Sequence, residues 1–184
     1  MSRPEGSGPA VAVFGSARLG PGDPELDEAR LLGRLLADGG WTVLTGGYDG
    51  AMAAVSEGAH AVGGHVVGVT MGPWSPRRSP NPWVREERRA ESLHARLGQL
   101  VAAQAWVAVA GGIGTLSEVA LAWNMLQTGE VEARPLVLVG HRWPPLLRAI
   151  GDLLVVDDRD LELVRTVPDA AAALRELGAG GDAG

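Results

Sequence analysis

The 184-residue chain contains neither cysteine nor lysine, and each absence excludes a class of chemistry. Without cysteine there can be no disulfide, no thiolate nucleophile and no Cys-ligated zinc. All 16 residues counted as lysine or arginine are arginine. The chain therefore cannot form the Schiff base of a pyridoxal-phosphate enzyme. It also cannot place the lysine of a Walker A loop on the phosphates of a nucleotide.

The chain has no long apolar run, so we expect no membrane span. Its first nine residues are polar, contain glycine and proline, and lack the apolar segment of a signal peptide. We therefore expect a cytoplasmic protein. The net charge of −6 disfavours binding to nucleic acid, which usually requires a basic surface.

The length suits a single domain, which we place over residues 10–177, with a flexible segment at residues 1–9 and a disordered tail at residues 178–184. One part of this acidic chain is rich in arginine, which indicates either a local anion site or a solvated surface. These residues are Arg77, Arg78, Arg85, Arg88, Arg89 and Arg96.

Short apolar segments alternate with segments of helical spacing, which predicts a mostly parallel sheet covered by helices on both faces, a three-layer α/β fold. The predicted strands are residues 11–14, 41–44, 65–69, 105–110, 135–139 and 153–156. The predicted helices are residues 24–38, 51–62, 86–104, 115–127, 144–150 and 168–177. Residues 72–83 contain four prolines and are predicted to form a loop.

Three glycine-rich turns, beginning at Gly15, Gly46 and Gly111, each follow a predicted strand directly. The carboxyl ends of parallel strands lie at one edge of a sheet, where ligands of open α/β sheets bind. The three turns should therefore meet at one ligand site.

The segment from Gly111 to Glu118 carries the strongest signal. Glycines at 111, 112 and 114 let backbone amides approach a ligand, and the start of the following helix attracts anions. Thr115 adds a hydroxyl donor, so a phosphate is the natural ligand. The alternative is a capping box, in which Glu118 would accept a hydrogen bond from the backbone of Thr115 and take no part in chemistry.

The other two turns are less specific. Neither the segment from Thr45 to Met52 nor that from Gly15 to Arg18 has the G-x-G-x-x-G pattern of dinucleotide-binding proteins. The second strand also ends in Thr45 rather than in the acidic residue that binds a ribose. A dinucleotide-dependent enzyme is therefore disfavoured.

Arg96 lies in the helix predicted over residues 86–104, on the same face as Arg89. Its guanidinium could bind a phosphate or a carboxylate with two hydrogen bonds. The alternative is a surface arginine with a buried stem. The histidines lack metal-ligand spacing, so we predict no metal site, and we expect Trp123 to Met125 to pack against a partner chain.

Together these motifs resemble the Lonely Guy (LOG) family, whose hallmark is P-G-G-x-G-T-x-x-E. This chain has Ala110 at the proline position and matches the remainder from Gly111 to Glu118. Thr45 to Met52 resembles a second family segment, T-G-G-x-x-G-x-M, and Gly15 to Arg18 resembles the G-S-x-R of short bacterial members. Leu97 follows Arg96 where the family has lysine.

The resemblance implies a Rossmann-like fold, a homodimer and no cofactor. It implies hydrolysis of the N-glycosidic bond of cytokinin riboside 5′-monophosphates, giving an adenine-type base and ribose 5-phosphate. The implied catalytic pair is Arg96 and Glu118. The predicted substrate- and phosphate-binding residues are Gly15, Ser16, Thr45, Gly46, Gly47, Gly50, Met52, Gly111, Gly112, Ile113, Gly114 and Thr115. The alternative is a non-catalytic carrier of a nucleotide or of the pterin phosphate of the molybdenum cofactor.

Overall fold

The computed structural model describes residues 8–72 and 79–179, and within these ranges the chain forms seven strands and seven helices. The strands are β1 (Ala10–Phe14), β2 (Thr42–Thr45), β3 (Val66–Met71), β4 (Glu86–Ala90), β5 (Ala105–Ala108), β6 (Leu136–Val139) and β7 (Arg165–Val167). The helices are α1 (Pro24–Asp38), α2 (Ala51–Ala61), α3 (Leu93–Val101), α4 (Ile113–Thr128), α5 (Trp143–Leu153), α6 (Asp158–Glu162) and α7 (Ala170–Ala179). All strand pairs are parallel, in the order β4-β3-β2-β1-β5-β6-β7.

The predicted three-layer α/β architecture is confirmed, because the sheet has a hydrophobic core on each face. Successive side chains of a strand point to opposite faces. Val11 and Val13 accordingly join the core under α1, α2 and α7, while Ala12 and Phe14 join the core under α3, α4 and α5. Near-continuous apolar strands such as β1 are what a sheet covered on both sides requires.

The strand order reverses between β1 and β5, and this reversal places the ligand-binding edge. From β1 the chain builds outward through β2, β3 and β4, then crosses to the other side of β1 with β5. Phe14 at the end of β1 is in register with Ala108 at the end of β5. The backbone amide of Ser16 donates to the carbonyl of Ala110 at 3.1 Å. The turns after β1 and β5 therefore lie side by side at the point where such sheets bind ligands.

The helix predicted over residues 86–104 is wrong in its first half. Residues 86–90 form β4, the edge strand that pairs with β3, with Arg89 in register with Thr70. Charged side chains on an edge strand discourage pairing with other chains, so charge does not distinguish this strand from a helix surface. The helix proper is α3, whose start is capped by the Ser92 hydroxyl accepting the Ala95 amide at 3.1 Å. Arg89 and Arg96 therefore do not share a helix face.

The strand predicted at residues 153–156 is also wrong. Helix α5 runs through Leu153, and Leu154 and Val155 after it are exposed, with Val155 fully so. The last strand is instead β7, which pairs with β6 and brings Val167 into register with Val139. Its sequence, Arg165-Thr166-Val167, is too short to give a clear alternating pattern.

The two ends of the chain and the long loop are described only in part. Helix α7 runs to Ala179, beyond the predicted domain end at residue 177. Residues 1–7, 73–78 and 180–184, on which parts of the predicted flexible start, proline-rich loop and disordered tail fall, lie outside the described residues. In the described ranges, no helix combines the length and hydropathy needed to cross a membrane.

Candidate functional site

A cleft of about 320 Å³ opens at the carboxyl edge of the sheet, where the strand order reverses. It is formed by the turns after β1 and β5 together with one side chain each from α2 and α3 and the first turns of α4. The lining residues are Gly15, Ser16, Ala17, Arg18, Met52, Arg96, Gly112, Ile113, Gly114, Thr115 and Glu118. Nine of the fourteen predicted site residues therefore meet in one place.

The start of α4 forms one wall of the cleft. Gly112 is the residue that precedes the helix, so the amides of Ile113, Gly114 and Thr115 are the first of α4 and have no acceptor within it. A side chain added at Gly112 or Gly114 would meet nothing within 4 Å, so this wall is open to a ligand. These amides and the positive end of the helix dipole suit an anion.

Gly111 differs from Gly112 and Gly114 because it packs against a side chain of the same turn. A Cβ atom at this position would lie 2.3 Å from the side chain of Thr115, which is buried. Gly111 is not among the residues that line the cleft, and its lack of a side chain lets the turn pack against Thr115.

The capping box considered for Thr115 and Glu118 does not form. Because α4 begins at Ile113, Thr115 is the third residue of the helix rather than the residue before it, and no side chain caps this end. Glu118 is instead buried, and its carboxylate faces Arg96.

Arg96 and Glu118 form a buried pair at the base of the cleft, with side chains 11% and 10% exposed. The Arg96 Nε donates to the carbonyl oxygen of Val69 at 2.8 Å, and one terminal nitrogen lies 3.3 Å from Glu118 Oε1. The guanidinium thus links β3, α3 and α4 and fixes the carboxylate. Burial raises the pKa of Glu118 to about 7, although the charge and hydrogen bond of Arg96 act to lower it.

The second glycine turn contacts residues of the cleft but does not line it. Its residues Thr45, Gly46 and Gly47 are absent from the lining. A Cβ atom at Gly46 would lie 2.1 Å from a terminal nitrogen of Arg96, so this glycine leaves the space that the guanidinium occupies. The hydroxyl of Thr45 accepts the amide of Gly47 at 3.1 Å. The backbone N–H of Asn81, a residue that the sequence did not indicate, donates to the carbonyl oxygen of Gly47 at 2.8 Å.

Gly50 and Gly15 bring the first two turns together. Gly50 has a φ of +64°, and a Cβ atom there would lie 2.3 Å from the carbonyl oxygen of Ser16. The amide of Ala51 donates to that oxygen at 2.8 Å. Gly15 fits between Ala51 and Val109, where a Cβ atom would be 2.7 and 2.8 Å from their side chains. Gly50 thus supports the cleft without lining it.

Three further positions bear on the sequence predictions. Leu97, where the LOG family has lysine, is not among the lining residues. Trp123, expected to face a partner chain, is half-buried, and its indole N–H donates to the carbonyl of Asp160 at 2.7 Å within the same chain. Arg18 lines the cleft but was not among the predicted site residues, although it closes the G-S-x-R segment.

Comparison with known proteins places this chain in a family. A family model described as "possible lysine decarboxylase" matches residues 52–177. A protein of Oryza sativa subsp. japonica, named cytokinin riboside 5′-monophosphate phosphoribohydrolase LOG, is 32% identical over 171 residues, which cover 91% of this chain and 70% of that protein.

Solved structures agree on the fold. The molybdenum cofactor carrier protein of Chlamydomonas reinhardtii is 30% identical with a TM-score of 0.74, covering 94% of this chain and 97% of its own. The molybdenum cofactor binding protein of Rippkaea orientalis has a TM-score of 0.76 over 94% and 96% of the two chains, but at 24% identity it shows the fold alone. Because the family model spans more than half of the sequence, the chain belongs to the family described as possible lysine decarboxylase, the family of the LOG phosphoribohydrolases.

Proposed function

We propose that the protein hydrolyses the N-glycosidic bond of a nucleoside 5′-monophosphate, releasing an adenine-type base and ribose 5-phosphate. The observation that carries this proposal is the buried pair of Arg96 and Glu118 beside the open amides of α4. The activity named for the rice relative supports the same reaction. A lysine decarboxylase that forms a Schiff base through its own lysine is excluded, because the chain has no lysine.

In this proposal the start of α4 binds the phosphate, and the sugar then extends toward Glu118. Amides of Ile113, Gly114 and Thr115 supply the hydrogen bonds. Binding the phosphate, which does not react, uses remote interaction energy to orient the reacting carbon. The cleft volume of about 320 Å³ suits a small ligand of this kind.

The bond between C1′ and the base nitrogen breaks, the electron pair leaves with the base, and the sugar acquires positive charge. The ionised carboxylate of Glu118 stabilises that charge and accepts a proton from the water whose oxygen bonds to C1′. The departing base takes up a proton, so that hydrolysis consumes one water molecule in total. A pKa of about 7 suits Glu118 to exchange protons near neutral pH. Arg96 holds the carboxylate in place.

The test is to incubate the protein with a panel of nucleoside 5′-monophosphates and to quantify free base by chromatography. Glu118→Gln should lower kcat by roughly 10²–10⁴-fold while retaining AMP binding, because it removes the proton acceptor but keeps the shape of the side chain. Glu176→Gln, an exposed carboxylate of α7, is the matched control. Hydrolysis by Glu118→Gln at the parent rate would show that Glu118 is not the base.

A non-catalytic carrier is the second candidate, favoured by the likeness to the Chlamydomonas carrier protein. A carrier would use the same anion site but would need no proton acceptor. It predicts that the parent protein releases no base from any member of the panel and binds molybdenum cofactor tightly. Base release that depends on Glu118 would reject it.

We also propose a homodimer joined through the surface around α5. Leu153, Leu154 and Val155 are 80%, 59% and 107% exposed, and they follow one another in the chain. Runs of exposed apolar side chains of this kind mark interaction surfaces. Light scattering during size-exclusion chromatography should give twice the 19.1 kDa mass of the chain.

A further inference from the structure

Three charged side chains line the cleft, and only two of them are paired with each other. Arg96 and Glu118 form the buried pair described above. Arg18 is exposed at the mouth, and its guanidinium makes no hydrogen bond or ion pair with any group in residues 8–72 and 79–179. Within that part of the chain, Arg18 is therefore the charged side chain of the cleft that has no ion-pair partner.

The backbone that carries Arg18 is fixed on two sides. The Ser16 hydroxyl accepts the amide of Arg18 at 3.0 Å, while the Ser16 amide donates to Ala110, the residue before the Gly111 turn, at 3.1 Å. On the other side the Ser16 carbonyl accepts the amide of Ala51 at 2.8 Å. A long side chain thus extends from a turn that is held against the residue before the Gly111 turn.

The charges of the site leave a role for this side chain. A phosphomonoester carries a charge of roughly −1.5 to −2 at pH 7. The start of a helix is equivalent to only about +0.5 of an elementary charge. Arg96 adds little net attraction, because its charge is opposed at 3.3 Å by Glu118. Arg18 can supply the missing positive charge and two hydrogen bonds to phosphate oxygens.

We propose that Arg18 binds the phosphate of the substrate and makes the cleft selective for a phosphomonoester over the corresponding unphosphorylated nucleoside or sugar. This inference rests on the proposed function, because it assumes that the α4 turn holds a phosphate. It assigns to Arg18 a contact that is equally strong in the bound substrate and in the transition state, whereas the α4 amides orient the sugar. Its effect should therefore appear in KM rather than in kcat.

Ribose 5-phosphate and ribose are suitable probes, since neither carries a base that could be hydrolysed. Isothermal titration calorimetry would measure both ligands with the parent protein, with Arg18→Gln and with Arg175→Gln, an exposed arginine of α7 outside the cleft. Arg18→Gln should weaken ribose 5-phosphate binding by about ten- to a hundredfold and leave ribose unchanged. Arg175→Gln should leave both unchanged. In the hydrolysis assay, Arg18→Gln should raise the KM for AMP by a similar factor, with kcat within about twofold.

The outcomes separate this inference from the proposed function. If the parent hydrolyses AMP but Arg18→Gln binds ribose 5-phosphate as tightly as the parent does, the role of Arg18 is wrong and the hydrolase remains. Suppose instead that the parent releases no base and prefers ribose 5-phosphate over ribose, while the Arg18→Gln protein lacks that preference. In that case the phosphate contact of Arg18 stands and the proposed hydrolase activity is wrong. A parent protein that does not distinguish ribose 5-phosphate from ribose would overturn the inference.

Discussion

Helix α4 separates two cavities of opposite character. On one side lies the cleft of about 320 Å³, with Arg18, Arg96 and Glu118 among its lining residues. On the other side, between α4 and α5, lies a larger cavity of about 470 Å³ lined mainly by apolar side chains such as Leu116 and Trp123. Among the described lining residues of this cavity, the one charged side chain is Asp160. Its carboxylate accepts hydrogen bonds from Gln127 at 3.0 Å and from the backbone amide of Asp157 at 3.2 Å.

Cavity volume alone does not locate the chemistry. The larger cavity can bury apolar surface, but the single charge among its described lining residues, Asp160, is already hydrogen-bonded. The helix start at its wall, Trp143 of α5, is followed by Pro144 and Pro145, which have no N–H to offer an anion. The smaller cleft has a charged side chain without a partner in the described ranges and, at the start of α4, amides open to a ligand. Substitutions in the cleft should therefore change turnover and leave the dimer intact. Substitutions beside the apolar cavity should disrupt the dimer and leave turnover unchanged.

Replacing Arg96 by alanine should have the largest effect on turnover. Loss of the guanidinium frees the Glu118 carboxylate and removes the charge that lowers its pKa. We expect kcat to fall by roughly 10²–10⁴-fold and the acidic limb of the pH–rate profile to move above pH 7. Arg96→Lys should not restore activity, because one ammonium cannot reproduce a fork that joins Val69 and Glu118. A profile that keeps its parent midpoint would contradict the pairing.

Gly46→Ala should give the next largest effect, without touching a charged residue. The added methyl group would lie 2.1 Å from a terminal nitrogen of Arg96 and 2.5 Å from the sulfur of Met52. Displacement of the guanidinium by about an ångström should cost roughly a hundredfold in kcat/KM. The matched control is Gly98→Ala in α3, which has open space around it and should leave kinetics unchanged while stabilising the helix by up to about 1 kcal/mol. Equal kinetics for the two variants would show that Gly46 does not make room for Arg96.

Much of this arrangement could be predicted from the sequence. Glycines after apolar strands indicated a site at one edge of the sheet, and Asp23-Pro24 indicated the start of α1, which does begin at Pro24. The contact between Arg96 and Glu118 followed only from the family resemblance, because residues 22 positions apart in different helices leave no local pattern. The role of Gly46 depends on the position of an arginine side chain 50 residues away in the sequence.

The errors have physical reasons as well. Residues 86–90 are charged because β4 is an edge strand, and four charges in five residues do not distinguish an exposed strand from a helix surface. Leu153 to Val156 is apolar, which predicted a strand, but Leu153 ends α5 and the side chains of Leu153 to Val155 are exposed, an outcome of tertiary packing that a local pattern cannot report. The pattern of Gly15 to Arg18 does not indicate that Arg18 lines the cleft, because arginine in a turn is most often a surface residue.

The raised pKa of Glu118 should also make the stability of the protein depend on pH. The unfolded chain releases this proton near pH 4.5, whereas the folded protein keeps it until about pH 7. Folding therefore binds a proton between these values, and the free energy of unfolding should fall as pH rises through this window, by up to about 3 kcal/mol. Glu118→Gln does not titrate and should remove this part of the slope. Urea unfolding of both proteins at pH 5 and pH 8 would measure the difference, and parallel pH dependences would contradict the burial of an ionisable group.

On the other side of α4, Val155→Glu should have the smallest effect on turnover. The side chain of Val155 is fully exposed, so a charge there should not disturb the fold. It would place a buried, unpaired charge in the proposed dimer interface, and light scattering should show the dimer mass falling to that of one chain. This surface adjoins the apolar cavity, on the other side of α4 from the cleft, so kcat per chain should stay within about twofold. Leu31→Glu, on the exposed side of α1 at the opposite face of the sheet, is the matched control and should remain dimeric. A Val155→Glu protein that stays dimeric places the interface elsewhere, and a monomer without activity would mean that the partner chain completes the cleft.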